Sequence, residues 1–344
     1  MDRLWERYSR QILFAPIGRE GQERLTQSRV AIVGAGALGT VLANHMVRAG
    51  VGYVRLIDRD VVEMSNLQRQ MLFDEEDAHH HLPKAVAAAE KLRRINSDVT
   101  VEPHIVDLNA TNAETLLADV DLVLDGTDNF QVRFLLNDAC VKHGIPWVYG
   151  GVIRARGMVA LLRPGITPCL RCLFDSPPAA HTETCDTVGV IGPIVHVVAS
   201  YQAAEALKLL VGATDKLTPV LRYFDLWEGH VSAMKLDGAR KPDCPCCARR
   251  RFDFLDPQRE AGTVTTLCGR NTVQITPPQP LALNLADLEA RLAAVGPVTR
   301  NRFLLRVTVS DAHTLVVFPD GRVLVQGTDE PAVAKSLYAR YIGS

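Results

Sequence analysis

At 344 residues the chain exceeds one ordinary domain, so a large domain with a smaller companion is the expected layout. Hydrophobic residues at 47% against 22% charged give the balance of a globular protein and exclude a disordered one. A formal net charge of −1 supplies no global basic field, which argues against nucleic acid or acidic lipid as partners.

In chain order, "LWERYSRQILF" and "REGQERLTQ" read as two short helices within residues 4–27, separated by Pro16 and Gly18. The charged start lacks the apolar core of a signal peptide, so a cytoplasmic location is expected. Strands rich in Val, Ile and Leu are then predicted at 29–33, 53–57, 99–105, 121–125 and 146–152. Helical patterns fill the gaps at 37–49, 84–95, 111–118 and 130–143. This alternation specifies βαβ units and a doubly wound, mainly parallel α/β sheet of Rossmann type. Closely spaced strands at 157–162, 220–226 and 231–236 are expected to extend it antiparallel. Between them, "PIVHVVASYQAAEALKLLVG" carries His196, Glu205 and Lys208, and reads as a mostly buried helix over 193–211 rather than a membrane span.

Composition shifts at "RKPDCPCCARRRFDFLDPQREAG", which reads as a linker over 249–262 closing a first domain of residues 1–248. Strand-like runs at 272–276, 302–309, 313–318 and 322–326, with helices at 284–294 and 330–341, predict a small α+β domain over 263–344.

The chemistry begins at "VAIVGAGALG", where Gly34, Gly36 and Gly39 form the G-x-G-x-x-G turn between a strand and a helix. Such a turn admits phosphate to a helix N-terminus, and Asp58, 19 residues past Gly39, stands where a ribose-binding acid belongs. NAD and ATP fit these residues equally well. The following segments break the tie. Asn66, Arg69 and Gln70 lie just beyond the ribose acid, Lys84 follows in "HLPKA", and Asp125 and Asp128 sit at the tip of "LVLDGTDNF". A hydride-transfer site has little use for added cations and a free carboxylate, whereas a triphosphate with Mg²⁺ uses all of them.

"RYSRQI", "GAGALG", "LIDRD", "SNLQRQ", "LPKA" and "DGTDN", in that order, resemble the ThiF/MoeB/HesA family over about residues 5–248. These relatives of ubiquitin-activating enzymes adenylate the C-terminal glycine of small ubiquitin-like sulfur carriers. The resemblance implies that Asp58 binds the ribose hydroxyls and that Asn66, Arg69 and Lys84 contact the phosphates. It implies Mg²⁺ on Asp128, and Arg10 reaching the triphosphate from the partner subunit of a homodimer. It further implies a carrier protein ending in Gly-Gly as partner, with a cysteine desulfurase as a second. The chemistry is consistent with this, because an ionised carboxylate needs no general base to attack the α-phosphorus. It needs cations that lower anion–anion repulsion. Two rival readings are an NAD-dependent oxidoreductase and a binding-only scaffold that keeps the fold. The extension after residue 262 and Cys185 tilt the expectation toward the thiamine type of carrier, against molybdopterin or tRNA thiolation.

Eight cysteines are present, and without a signal peptide paired spacing points to metal rather than to disulfides. Cys169-x-x-Cys172 and Cys244-x-x-Cys247 predict a closed four-thiolate zinc site, with Cys246 as an alternative to Cys247. The family has such a site. Cys185, in "AAHTETCDTVGVIGP", is expected in a flexible loop, where it could accept an acyl group or a persulfide. ThiF-type members use a loop cysteine there, and MoeB-type members do not require theirs. Cys140 is expected in the core, and "HHH" at 79–81 as a solvated loop. "LCGRN" around Cys268 is too short for the cradle of a rhodanese loop.

Overall fold

Unbroken apolar runs mark the parallel strands, and the computed structural model describes residues 3–177, 185–257, 264–267, 271–277, 279 and 281–343. The N-terminal segment forms α1 (Arg3–Arg7), α2 (Ser9–Ile12) and α3 (Gly18–Gln27). The expected first helix is split at Tyr8, whose buried hydroxyl accepts from Asn96 Nδ2 at 2.8 Å and whose ring lies against Gly50. Next come β1 (Arg29–Val33), α4 (Ala37–Ala49), β2 (Tyr53–Ile57), α5 (Glu75–His79) and α6 (Lys84–Ile95). His79 therefore ends a short helix capped by Asp74, rather than lying in the loop expected for it.

The chain continues through β3 (Thr100–His104), α7 (Ala113–Leu116), β4 (Leu122–Asp125), α8 (Phe130–His143) and β5 (Trp147–Ile153). Then follow β6 (Arg156–Leu162), α9 (Leu170–Leu173), α10 (Cys185–Val188), α11 (Gly192–Leu210), β7 (Val220–Asp225) and β8 (His230–Lys235). These eight strands form one sheet in the order β3-β2-β1-β4-β5-β6-β7-β8. The first five run parallel and the last three antiparallel, as the strand spacing predicts.

A core lies on each face. Leu42, Met46, Leu92, Val198 and Ala206 of α4, α6 and α11 cover one side, and Phe134, Leu136 and Cys140 of α8 the other. Each large apolar side chain buried this way contributes roughly 1.5–3 kcal/mol. Because β1 lies between β2 and β4, the strand order reverses beside it, opening a crevice at the carboxyl ends of these three strands. β8 closes the far edge with all six residues exposed.

Contacts divide the chain into two compact units, one drawn from Met1–Cys185 and Val190–Pro257, the other from Asp186–Gly189 and Gln258–Ser344. In the second, β9 (Val264–Leu267), β10 (Thr272–Ile275), α12 (Leu285–Leu292), β11 (Val298–Arg300), β12 (Leu305–Thr308), β13 (Thr314–Val317), β14 (Val323–Gln326) and α13 (Pro331–Tyr341) occur in turn. Its antiparallel sheet runs β11-β12-β13-β14-β10-β9, and α12 and α13 add Leu288, Leu292 and Ala334 to its core. The short β9 and β11 escape sequence reading, each being three or four residues long.

Candidate functional site

The glycine turn follows β1 and is shaped by close backbone approaches. Gly34 has φ +89°, and a Cβ there would stand 2.6 Å from the Gly126 carbonyl oxygen in the turn after β4. A Cβ on Gly39 would overlap the Gly34 carbonyl, so neither position accepts a side chain. Gly36 differs, since a Cβ there would meet only the Gln70 amide at 3.9 Å. Its missing side chain leaves space above the N-terminus of α4, which is what an approaching phosphate requires.

Asp58 directly follows β2, beside this turn. One carboxylate oxygen accepts from the Ala35 N–H at 2.6 Å and the other from the Asp60 N–H at 2.7 Å. Burial first, then the nearby charge of Asp60, pushes its carboxyl above the ordinary range, while the Lys84 charge works against both. Lys84 opens α6 after Pro83 and is 2% exposed. Its ammonium pairs with Asp60 Oδ2 at 3.2 Å.

Asn66 is buried at the end of the 3-10 turn Met64–Asn66, with its amide oxygen accepting from the Glu63 N–H at 3.1 Å. What it can offer a ligand is therefore the NH₂ end. Arg69 is half-buried and donates to the Ser65 carbonyl at 2.9 Å. Gln70 is 3% exposed, and its Oε1 is a buried acceptor with no partner among the described residues, beside the open space at Gly36.

The two acids at the tip of β4 part company. Asp125 is fully buried, and its oxygens take Thr127 Oγ1 at 2.7 Å and Arg133 Nε at 3.0 Å. That carboxylate is consumed in holding the turn, so it does not join the ligand-facing groups as its position in the sequence suggests. Asp128 is exposed, and its charge is felt by both Arg59 and Arg133. Arg10 lies exposed on α2, and among the described residues it makes no ion pair.

Away from the crevice, four thiols converge. Cys169 and Cys172 flank the first turn of α9, and Cys244 and Cys247 come from the segment after β8. Sγ–Sγ distances are 3.9 Å for Cys169–Cys172, 3.6 Å for Cys169–Cys244 and 3.5 Å for Cys172–Cys247, with all four sulfurs within 4.8 Å of one another. A tetrahedron of Zn–S bonds of about 2.3 Å has edges of about 3.8 Å, so the set fits zinc. The hydrogen bond from Cys246 is the first cause that pulls Cys169 down to about 4, while burial pushes Cys172 and Cys247 up. Cys246 is not in the set. It is fully buried beside it, accepting from Asn137 Nδ2 at 3.3 Å. The geometry thus selects Cys247, the alternative that two-residue spacing favours.

Residues 8–246 match the ThiF family. The chain belongs to the ThiF family. It is 46% identical to the sulfur carrier protein ThiS adenylyltransferase of Bacillus subtilis over 338 residues, 98% of this chain and 99% of that one. The sulfur carrier protein adenylyltransferase of Thermus thermophilus is 41% identical over 77% of this chain and 96% of its own. Among solved structures, Escherichia coli MccB with ATP superposes with a TM-score of 0.62 at 24% identity, covering 70% of this chain and 74% of that one, which shows the shared fold.

Within this ThiF-family chain, the residues that sequence reading missed are Asp60, Arg59 and Arg133. Arg59 Nη1 donates to Asp107 at 2.8 Å, and Arg133 Nη2 donates to the Thr127 and Gly150 carbonyls at 2.6 and 2.9 Å. The available signal for Asp60 was a second acid in "LIDRD", two residues past Asp58. Cys185 opens α10, and its side chain and residues 178–184 lie outside the described residues, as does Cys268. No helix among the described residues is long and apolar enough to cross a membrane.

Proposed function

We propose that this chain transfers AMP from ATP to the C-terminal glycine carboxylate of a ubiquitin-like sulfur carrier protein, releasing pyrophosphate. The full-length likeness to a ThiS adenylyltransferase supports the thiamine type of carrier over the molybdopterin type. The observation that carries the reading is one crevice bordered by the open Gly36 turn, the ribose acid Asp58, the buried cation Lys84 and the exposed acid Asp128. A hydride-transfer site needs neither the cation nor the exposed acid.

In this reading Gly34, Gly36 and Gly39 admit the phosphates to α4, and Asp58 takes the ribose hydroxyls. Asn66, Arg69, Gln70 and Lys84 then surround the triphosphate with donors. Asp128 holds Mg²⁺, which supplies charge neutralisation on the phosphate oxygens when bound. The carrier's carboxylate is itself the nucleophile, so the protein's work is positioning and stabilisation of charge on the departing pyrophosphate. Zinc on Cys169, Cys172, Cys244 and Cys247 is structural, since four protein ligands leave no open position. Cys185 acts after adenylation: it accepts the sulfane sulfur of a cysteine desulfurase persulfide, which releases the desulfurase thiol. The resulting persulfide displaces AMP from the carrier's acyl-adenylate to give an acyl disulfide.

ATP–pyrophosphate exchange with each carrier added in turn tests the reading. Exchange that depends on a carrier of the ThiS kind is expected, and none with any Gly-Gly carrier would overturn it. Mixed dimers test the homodimer. Arg10→Ala and Asp128→Ala are each expected to be inactive. After free subunit exchange half the dimers pair the two variants, and each has one intact site, so roughly a quarter of normal activity returns. No recovery, with subunit exchange shown by mass, would place Arg10 outside the partner's site.

A further inference from the structure

The cation in the crevice is held by a residue that no motif reading assigned. Lys84 is almost fully buried, and a buried ammonium requires an ionic or hydrogen-bonded partner. Asp60 supplies it, and two backbone bonds fix Asp60 in place. Its Oδ2 lies 3.2 Å from Lys84 Nζ, its carbonyl accepts from the Lys84 N–H at 2.9 Å, and its own N–H donates to Asp58 Oδ1 at 2.7 Å. A second cation, Arg59 Nε, stands 3.7 Å from Asp60 Oδ1. One short stretch thus ties the ribose acid to the phosphate-binding lysine.

From this geometry we infer that Asp60 is a positioning residue for adenylation, which fixes the Lys84 ammonium at the phosphate end of the crevice. The inference rests on the adenylation reading and adds a residue to it. The Asp60 side chain is 15% exposed against 2% for Lys84, and its backbone carbonyl accepts from the Lys84 N–H that opens α6. The carboxylate does not neutralise the triphosphate. It sets where the ammonium sits before ATP arrives, so that little reorganisation is needed as negative charge builds on the leaving pyrophosphate.

The consequence separates two kinetic quantities. In Asp60→Asn the side chain keeps its size and its backbone bonds to Asp58 and Lys84, but the ammonium loses its ionic anchor. Lys84 still meets the triphosphate once ATP is bound, so ground-state affinity changes little. Orientation in the transition state is what fails. The expected result is a fall in kcat for ATP–pyrophosphate exchange of at least about tenfold, with KM for ATP changed less than about threefold. Asp60→Glu, which restores the charge on a longer arm, is expected to recover part of kcat. AMP has no β- or γ-phosphate for Lys84, so its affinity, measured by calorimetry, is expected to be unchanged in both variants. Unaltered kcat in Asp60→Asn overturns the proposal. So does a parallel loss of ATP and AMP affinity with no recovery in Asp60→Glu, because that pattern marks a merely structural residue. Failure of the wild-type protein to exchange pyrophosphate with any carrier is a distinct result, since it removes the adenylation reading itself and Asp60's role with it.

Discussion

Asp128→Ala is expected to lower ATP–pyrophosphate exchange by at least about a hundredfold while the protein stays folded. The side chain is exposed beyond the end of β4, so its removal opens no core cavity, and Arg133 and Arg59 keep Asp125 and Asp107 as partners. Its neighbour Asp125 makes the contrast. Truncating Asp125 would strand the buried Arg133 guanidinium, a loss of about 3–5 kcal/mol in stability. A circular dichroism melt beside the exchange assay distinguishes the two outcomes. Near-normal exchange by a folded Asp128→Ala protein would remove this residue from the metal.

The second large effect concerns the thiol cluster. Elemental analysis is expected to find one zinc per chain, and Cys172→Ala is expected to lose it together with much of its thermal stability. Structural zinc contributes on the order of 10 kcal/mol to small domains that depend on it, and here it would join the turn of α9 to the segment after β8. Cys246→Ser is the matched control, because Cys246 lies beside the tetrahedron rather than in it. Retained zinc in Cys172→Ala, or zinc lost only in Cys246→Ser, would refute the ligand set.

Strand positions were legible because burial on both faces leaves unbroken apolar runs, as in "RVAIV" and "LVLD". The glycine turn and the acid bonded to it, Asp58, were legible because fixed spacing reflects fixed backbone geometry. What the sequence hid were choices made by distant partners. Tyr8 interrupts a helical pattern to reach Asn96, 88 residues away. Asp125 and Asp128 look alike in "DGTDN", and only Arg133, one helical turn into α8, decides which of them is spent on the fold. Asp60 went unread because the partner that marks it, Lys84, lies 24 residues on. The four-thiol cluster was readable from spacing, yet excluding Cys246 took the third dimension.

The helix α8 serves both centres with one stripe of side chains. Arg133 grips the turn that carries Asp128, Asn137 bonds to Cys246 and to the Leu170 N–H, and Val141 packs among the zinc cysteines. These residues recur every four positions and so share a face, while each added residue would rotate everything beyond it by about 100°. A one-residue insertion between Arg133 and Asn137 would therefore leave the chain able to seat the nucleotide end or the metal end, but not both. The span of this helix acts as a ruler between the two centres, and its length is less free to vary than any single residue along it.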